Sequence, residues 1–358
     1  MPKEMKRKRE NGEDKPRKKK SLDKAEDVPV DTSKPSAVFQ PSGGRSFTLS
    51  IALAGSVIAN AKSHDQKNFL AGQIARALAV FCVDEVVIFD DEDERTQKNR
   101  PAVAGNDYTA FSHPDHFLAH VLSYLETPPH LRKSLFPMHP NLRTAGTLPS
   151  LDMPHHLRAN EWCEYREGVT QASRPNGDGT HIDVGLPDLV KVADDIPAGT
   201  RVTVRLTDDA LAETVAPSAP REDKGYYWGF AVRQCNSLSN VLTECPFDGG
   251  YDVTIGTSER GAPLTQVMME PRFLKPAELN FQHVLLVFGG VAGLEKATKS
   301  DNELQKMGIT EKNVNELFDA WVNVLPGQGS RTIRTEEAVW LGLMGIRPFV
   351  ERLGAQGR

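Results

Sequence analysis

Val284-Leu-Leu-Val-Phe288 runs directly into Gly289-Gly-Val-Ala-Gly-Leu-Glu295. This short apolar run, followed by glycines, is strand-like and belongs to an α/β pattern. The same punctuation occurs twice more. Tyr251-Asp-Val-Thr-Ile255 precedes Gly256-Thr-Ser-Glu-Arg-Gly261, and Leu317-Phe-Asp-Ala-Trp-Val322 precedes Asn323-Val-Leu-Pro-Gly-Gln-Gly-Ser-Arg331. Each loop alone reads as a turn. Together they predict one shared pocket, because ligands of parallel sheets sit beyond the carboxyl ends of the strands. A nucleotide-like ligand suits such a pocket. No loop matches GxxxxGK[ST], and no GxGxxG opens the first helix, which argues against a P-loop enzyme and a dinucleotide enzyme.

Working outward, Phe47-Thr-Leu-Ser-Ile-Ala-Leu53, a helical pattern over 66–81, and Glu85-Val-Val-Ile-Phe89 form a strand, helix, strand unit. Ser112-His-Pro-Asp reads as a helix start, capped by Ser112 or His113 with Pro114 in the first turn, and the helix runs to about Leu125. From 146 to 235 the texture changes to short alternating segments, among them Arg201-Val-Thr-Val-Arg-Leu206 and Tyr226-Tyr-Trp-Gly-Phe-Ala-Val232. These predict a small antiparallel barrel or sandwich inserted into the α/β domain. A final helix is expected over 335–345. The predicted organisation is a basic leader (1–44), an α/β domain in two pieces (45–145 and 236–350), a β insertion (146–235) and a tail (351–358).

The chain has 358 residues, room for about two domains plus tails. No apolar stretch approaches the roughly 20 residues of a membrane helix. Cys82, Cys163, Cys235 and Cys245 are too few and scattered for a disulfide framework, so a reducing compartment is expected. Residues 1–20 hold ten Lys/Arg against four Asp/Glu, leaving 33 against 44 for the remainder. Lys6-Arg-Lys-Arg9 and Arg17-Lys-Lys-Lys20 read as a nuclear-import signal or a phosphate-seeking arm on a disordered leader. His113, His116 and His120 share a helical face but lack the spacing of a known metal site, and no metal is expected.

Three segments carry a specific resemblance. Gly72-Gln-Ile-Ala-Arg76 leading into an apolar strand resembles the first motif of the SPOUT RNA methyltransferases. The loop after Phe288 resembles their second motif, and Pro326-Gly-Gln-Gly-Ser-Arg-Thr-Ile-Arg-Thr-Glu-Glu-Ala338 their third. The whole of about 45–350 is similar to the eukaryotic and archaeal branch with an inserted oligonucleotide-binding-like (OB-like) β domain. The resemblance implies a trefoil-knotted α/β fold, S-adenosylmethionine held in the knot, a homodimer, and methylation of uridine N3 in large-subunit (28S) ribosomal RNA. Asn68 lies four residues before Gly72, so the Asn that many members place before this glycine has no counterpart here. Motif three lacks the Ser-Leu-Asn of the ribose-methylating branch, which favours a base as target.

By that resemblance the catalytic candidates are Arg76, Arg334 and Glu337, with Glu336 as another base. Methylating an imide nitrogen requires loss of its proton and stabilisation of the anion, and arginine supplies the second. Cofactor candidates are Arg260, Gly290, Gly293, Asn323, Val324, Ser330, Thr332 and Ile333. RNA candidates are Arg158, Arg201, Arg205, Tyr227 and Arg233, combining phosphate contact with base stacking. The implied location is nucleus or nucleolus, with cytoplasmic or spindle association also open. The alternative function is a noncatalytic RNA-binding scaffold of the same fold with spindle and centrosome partners.

Overall fold

The computed structural model describes residues 43–101, 108–172, 179–207, 212–276 and 281–354. Residues 1–42 of the basic leader and the final tail residues 355–358 lie outside them. The first strand, β1 (Thr48–Ala54), is buried along its whole length. Ser63 and Gln66 form a reciprocal capping box that starts the helix His64–Val80. That helix turns its Leu70, Ile74, Ala77 and Leu78 face into the core. It leads to β2 (Glu85–Phe89), parallel to β1. His113 occupies the N-cap of the helix Pro114–Glu126, which has proline in its first turn and no side-chain cap.

The chain then builds β3 (Tyr165–Thr170), β4 (Thr180–Asp183), β5 (Val190–Val192), β6 (Arg201–Leu206) and β7 (Ala212–Val215) into one antiparallel sheet, order β5-β4-β3-β6-β7. Its two edges curl toward each other, since Thr214 of β7 donates to Asp194 just past β5. A small core of Ile182, Val184, Val192, Val204 and Ala212 fills it.

The expected strand at 226–232 is displaced. Residues 226–230 form no strand, whereas β8 (Ala231–Cys235) pairs in parallel with β2. That strand therefore belongs to the main sheet, and the insertion ends before it. Next come β9 (Val253–Pro263), β10 (His283–Phe288) and β11 (Ala320–Asn323), completing a six-stranded parallel sheet of order β11-β9-β10-β1-β2-β8. The 317–322 run is split: a 3-10 turn covers Val314–Leu317 and the strand starts at Ala320. The last helix, Thr335–Gly354, extends nine residues beyond its expected end. It lies back across β10, where Gly342 faces Phe288 and Leu286 so closely that a Cβ would come within 2.9 Å of the ring.

The insertion is tied to the main domain by buried charge. Arg201 on β6 donates to Glu126 at 2.6 and 3.1 Å and to Glu167 on β3 at 2.7 Å. Glu167 also accepts from Thr203 and from the Trp228 indole, while His155 Nε2 lies 2.9 Å from Glu126. Burial raises the Glu126 carboxyl, but the Arg201 charge and the His155 hydrogen bond outweigh it and hold the group down at about 2.

His116 and His120 join His139 and Tyr108 in a cluster of edge-on and tilted ring contacts. Burial, then the neighbouring His139 and His116, lowers His120 to about 4, and burial next to His155 lowers His156 to about 3. An unfolded histidine titrates at about 6.5. Between these values the unfolded chain binds more protons than the native one, so this contribution is complete above about pH 6.5 and is lost as the pH falls toward 4. Melting temperatures should decline between pH 7 and 4.5, and His120→Phe should flatten the decline. An unchanged slope in that variant would remove His120 as its source.

Candidate functional site

Strands β11, β9 and β10 are neighbours, so their three glycine loops emerge side by side. In β9, Gly256 pairs with Trp321 but the next pair is Ala262 with Val322, so residues 257–261 bulge out of the ladder. The bulge aims Arg260 outward, 3.7 Å from Glu295 of the second loop. Ser258 donates to the same carboxylate at 3.3 Å. From the third loop, Asn323 donates to the Glu259 carbonyl at 2.9 Å, and Thr335, where the last helix starts, donates to the Gly289 carbonyl at 3.4 Å. Each loop is thereby bonded to another.

Glycine is obligatory at the centre. A Cβ on Gly289 would stand 2.5 Å from the Gly293 carbonyl carbon, and Gly293 itself has φ +75°. On Gly290 it would overlap Ser56 Oγ and approach Asp91 Oδ2 to 2.7 Å. Ser56 donates to Asp91 through its backbone N–H at 3.1 Å and its hydroxyl at 2.6 Å. Burial raises the Asp91 carboxyl against these two bonds. This buried pair at the ends of β1 and β2 props the second loop. Sequence inspection missed it because 35 residues separate its members and neither belongs to a motif.

The cofactor candidates Arg260, Gly290, Gly293, Asn323, Val324, Ser330, Thr332 and Ile333 all lie on these loops or the segment leading from them. Ser330, Thr332 and Arg260 are exposed, and Ile333 and Val324 half-buried. Exposed Val291 and Leu325 add apolar surface. The surface on offer is thus backbone polar groups, apolar side chains and one exposed guanidinium, which fits a nucleoside bearing a carboxylate.

A cleft of 690 Å³ opens beside the third loop, between the start of the first helix and that of the last. Arg334, Glu336, Glu337, Gln73, Lys62 and Trp340 line it. Glu337 is exposed, and its carboxylate accepts the Arg334 backbone N–H at 3.0 Å, as a first-turn acid does. Arg76 is not among the lining residues. It is half-buried, and its Nη1 donates to the carbonyls of Ser150 and Leu151 at 3.2 and 2.8 Å, so the structure gives it the connector to hold.

The RNA candidates separate. Tyr227 is 5% exposed and its hydroxyl donates to the Leu78 carbonyl, so it packs in the core and has no face for a base. Arg201 is committed to Glu126 and Glu167. Arg233 is committed to Glu85, Tyr251 and the Val241 carbonyl. These three are corrections: Tyr227 serves packing, Arg201 the seam, and Arg233 the main sheet through Glu85 of β2. Arg158 and Arg205 remain at the surface, Arg205 beside Glu213. Trp162, which no motif marked, stands exposed four residues from Arg158.

A sequence model of the family described as "Putative RNA methyltransferase" matches residues 48–346. The chain belongs to this RNA methyltransferase family. The methyltransferase is 43% identical over 87% of its length to a Homo sapiens protein named 28S rRNA (uridine-N(3))-methyltransferase, covering 81% of that protein. It is 40% identical over 84% of its length to the Drosophila melanogaster protein of the same name, covering 62% of it. Among solved structures, it aligns with the SpoU methyltransferase AviRb from Streptomyces viridochromogenes in complex with AdoMet, at TM-score 0.31 and 11% identity, covering 85% of this chain and 58% of that one.

Proposed function

We propose that this RNA methyltransferase transfers a methyl group from S-adenosylmethionine to N3 of a uridine in 28S ribosomal RNA. The observation that carries this is the interlinked set of three glycine loops at adjacent strand ends, beside an open cleft with cationic and acidic groups. The names of the relatives support the choice of uridine N3. The bound cofactor supplies an electrophilic methyl group on a sulfonium. The chain's part is to hold it through backbone groups of Gly290, Gly293, Val324, Thr332 and Ile333, with Asn323 and Ser330 beside them and Arg260 at the outer edge. The cleft holds the base, and Arg334 offers positive charge to an imide losing its proton.

The strand order β11-β9-β10 with the last helix packed back across β10 supports a trefoil knot, and the curled five-stranded sheet supports an OB-like insertion. A homodimer is supported by exposed Val80 and Met344 on the first and last helices, apolar surface outside the cleft that a second copy would cover. The basic leader supports entry into nucleus and nucleolus. Deleting residues 1–44 tests this: exclusion of the truncated protein from the nucleus is expected, and unchanged localisation would reject the import role.

Nucleoside mass spectrometry of 28S rRNA from cells lacking the protein should show loss of 3-methyluridine that the wild-type chain restores. An unchanged profile would reject this substrate. Retained RNA binding without any methylation would instead favour the scaffold reading and its spindle and centrosome partners.

A further inference from the structure

Glu336 is the unusual group in the cleft. Its side chain is more than nine-tenths buried, with the residue 6% exposed, at the start of the last helix. Oε2 is enclosed and has no hydrogen-bond partner among the described residues. Oε1 lies 3.8 Å from the Arg334 guanidinium, close enough for attraction and too far for a hydrogen bond. Glu336 lines the cleft, and a carboxylate held there without a donor costs free energy that a ligand N–H can recover by reaching the oxygen on the Arg334 side. Glu337, one residue on, has no such need, because its carboxylate already accepts the Arg334 N–H.

The cleft is also placed for the reaction. Thr335, adjacent to Glu336, bonds the Gly289 carbonyl of the second loop, so the glutamate and the glycine cradle are fixed to one frame. The opposite wall presents Gln73, Gln66 and Asn60, amides that suit the two carbonyls of a uracil, and Trp340 and Phe69 offer flat apolar surface.

We infer that Glu336 is the catalytic base, accepting the N3 proton of the target uridine in this cleft; the inference rests on the uridine-N3 reading above. The N3–H bond breaks toward the carboxylate. The freed electron pair forms the N3–CH3 bond as the S–CH3 bond breaks, its pair remaining on sulfur. Glu336 then releases the proton to solvent, and Arg334 stabilises the imide anion in between.

The test uses the full-length protein and an rRNA fragment bearing the target uridine. In single-turnover methylation at neutral pH, Glu336→Gln should be slower by about 100-fold, the ordinary worth of a positioned base. Its rate should climb about tenfold per pH unit toward the alkaline ionisation of the imide, while the wild-type profile stays flat. A fragment carrying the more acidic 5-fluorouridine should restore most of the rate. Without cofactor, wild-type protein should bind the uridine fragment better than its 3-methyluridine counterpart, and Glu336→Ala should lose that preference. Wild-type rates in Glu336→Gln would overturn the assignment. So would an equal loss at every pH without 5-fluorouridine rescue, or a changed oligomeric state, which would place Glu336 at a subunit contact. If Glu336→Gln melts early, Glu336→Asp must keep the flat profile at a reduced rate. An inactive wild-type protein would instead refute the uridine-N3 reading itself, and the base with it.

Discussion

Arg201→Ala should destabilise the protein by about 3 to 5 kcal/mol, the cost of breaking a buried ion pair from one side. The guanidinium bridges two carboxylates, and Glu126 and Glu167 are both 5% exposed. Without it, His155 is left to face Glu126, and Thr203 and Trp228 still donate to Glu167, but the compensating charge is gone. The seam would loosen first, because Glu126 closes a helix of the main domain while Arg201 and Glu167 stand on the inserted sheet. A fall in melting temperature on the order of 5 °C is expected. Arg201→Lys should recover part of it, since a lysine keeps the charge but cannot fork to two partners.

The pH dependence carries its own sign. Glu126 is held at about 2, below the ordinary range of a free glutamate, about 4.3. Its contribution is therefore present above about pH 4.3 and is lost as the pH falls toward 2. In Arg201→Ala that acid-labile part should disappear, so the gap between variant and wild type narrows below pH 4.3. A variant that melts with the wild type at pH 7 would show that the seam does not hold the two sheets together.

Gly290→Ala should reduce methyl transfer by on the order of 100-fold, the scale of a displacement of about 1 Å in a positioned reactant. The added Cβ falls on Ser56 Oγ and 2.7 Å from Asp91 Oδ2. Ser56 cannot swing away freely, since its hydroxyl and its backbone N–H are both committed to the buried Asp91. The loop must lift instead, carrying Val291 and the Gly293 turn with it. Cofactor affinity, measured by calorimetry, should fall together with the single-turnover rate, while melting temperature changes little. Ser56→Gly combined with Gly290→Ala should return part of the affinity by clearing the overlap. Wild-type affinity in the single variant would mean that the second loop does not contact the cofactor.

The three glycine loops could be read in the chain, for a physical reason. Glycine loops behind apolar runs such as Val284-Leu-Leu-Val-Phe288 leave a local signature, because backbone approach forbids a side chain whatever the rest of the fold does. Side chains whose roles depend on distant partners left none. Tyr227 looked like a stacking residue and is core, since alternation specifies two faces without saying which is covered. The strand at 231–235 joined β2 rather than the insertion for the same reason: pairing partners are chosen across some 145 residues of chain.

The sequence by itself determined the parallel-sheet class, the three loops, the change of texture near 146 and the family motifs, all of which rest on local periodicity and glycine placement. Tertiary structure alone decided that Arg201 and Arg233 are spent on buried carboxylates, that Arg76 holds a connector, and that Ser56 and Asp91 prop the second loop. It also decided that, of two adjacent glutamates, Glu337 caps its helix while Glu336 Oε2 is left without a hydrogen-bond partner among the described residues. Two identical neighbouring side chains differ only in what surrounds them, and burial and hydrogen bonding are settled by the packing of elements far apart in the chain.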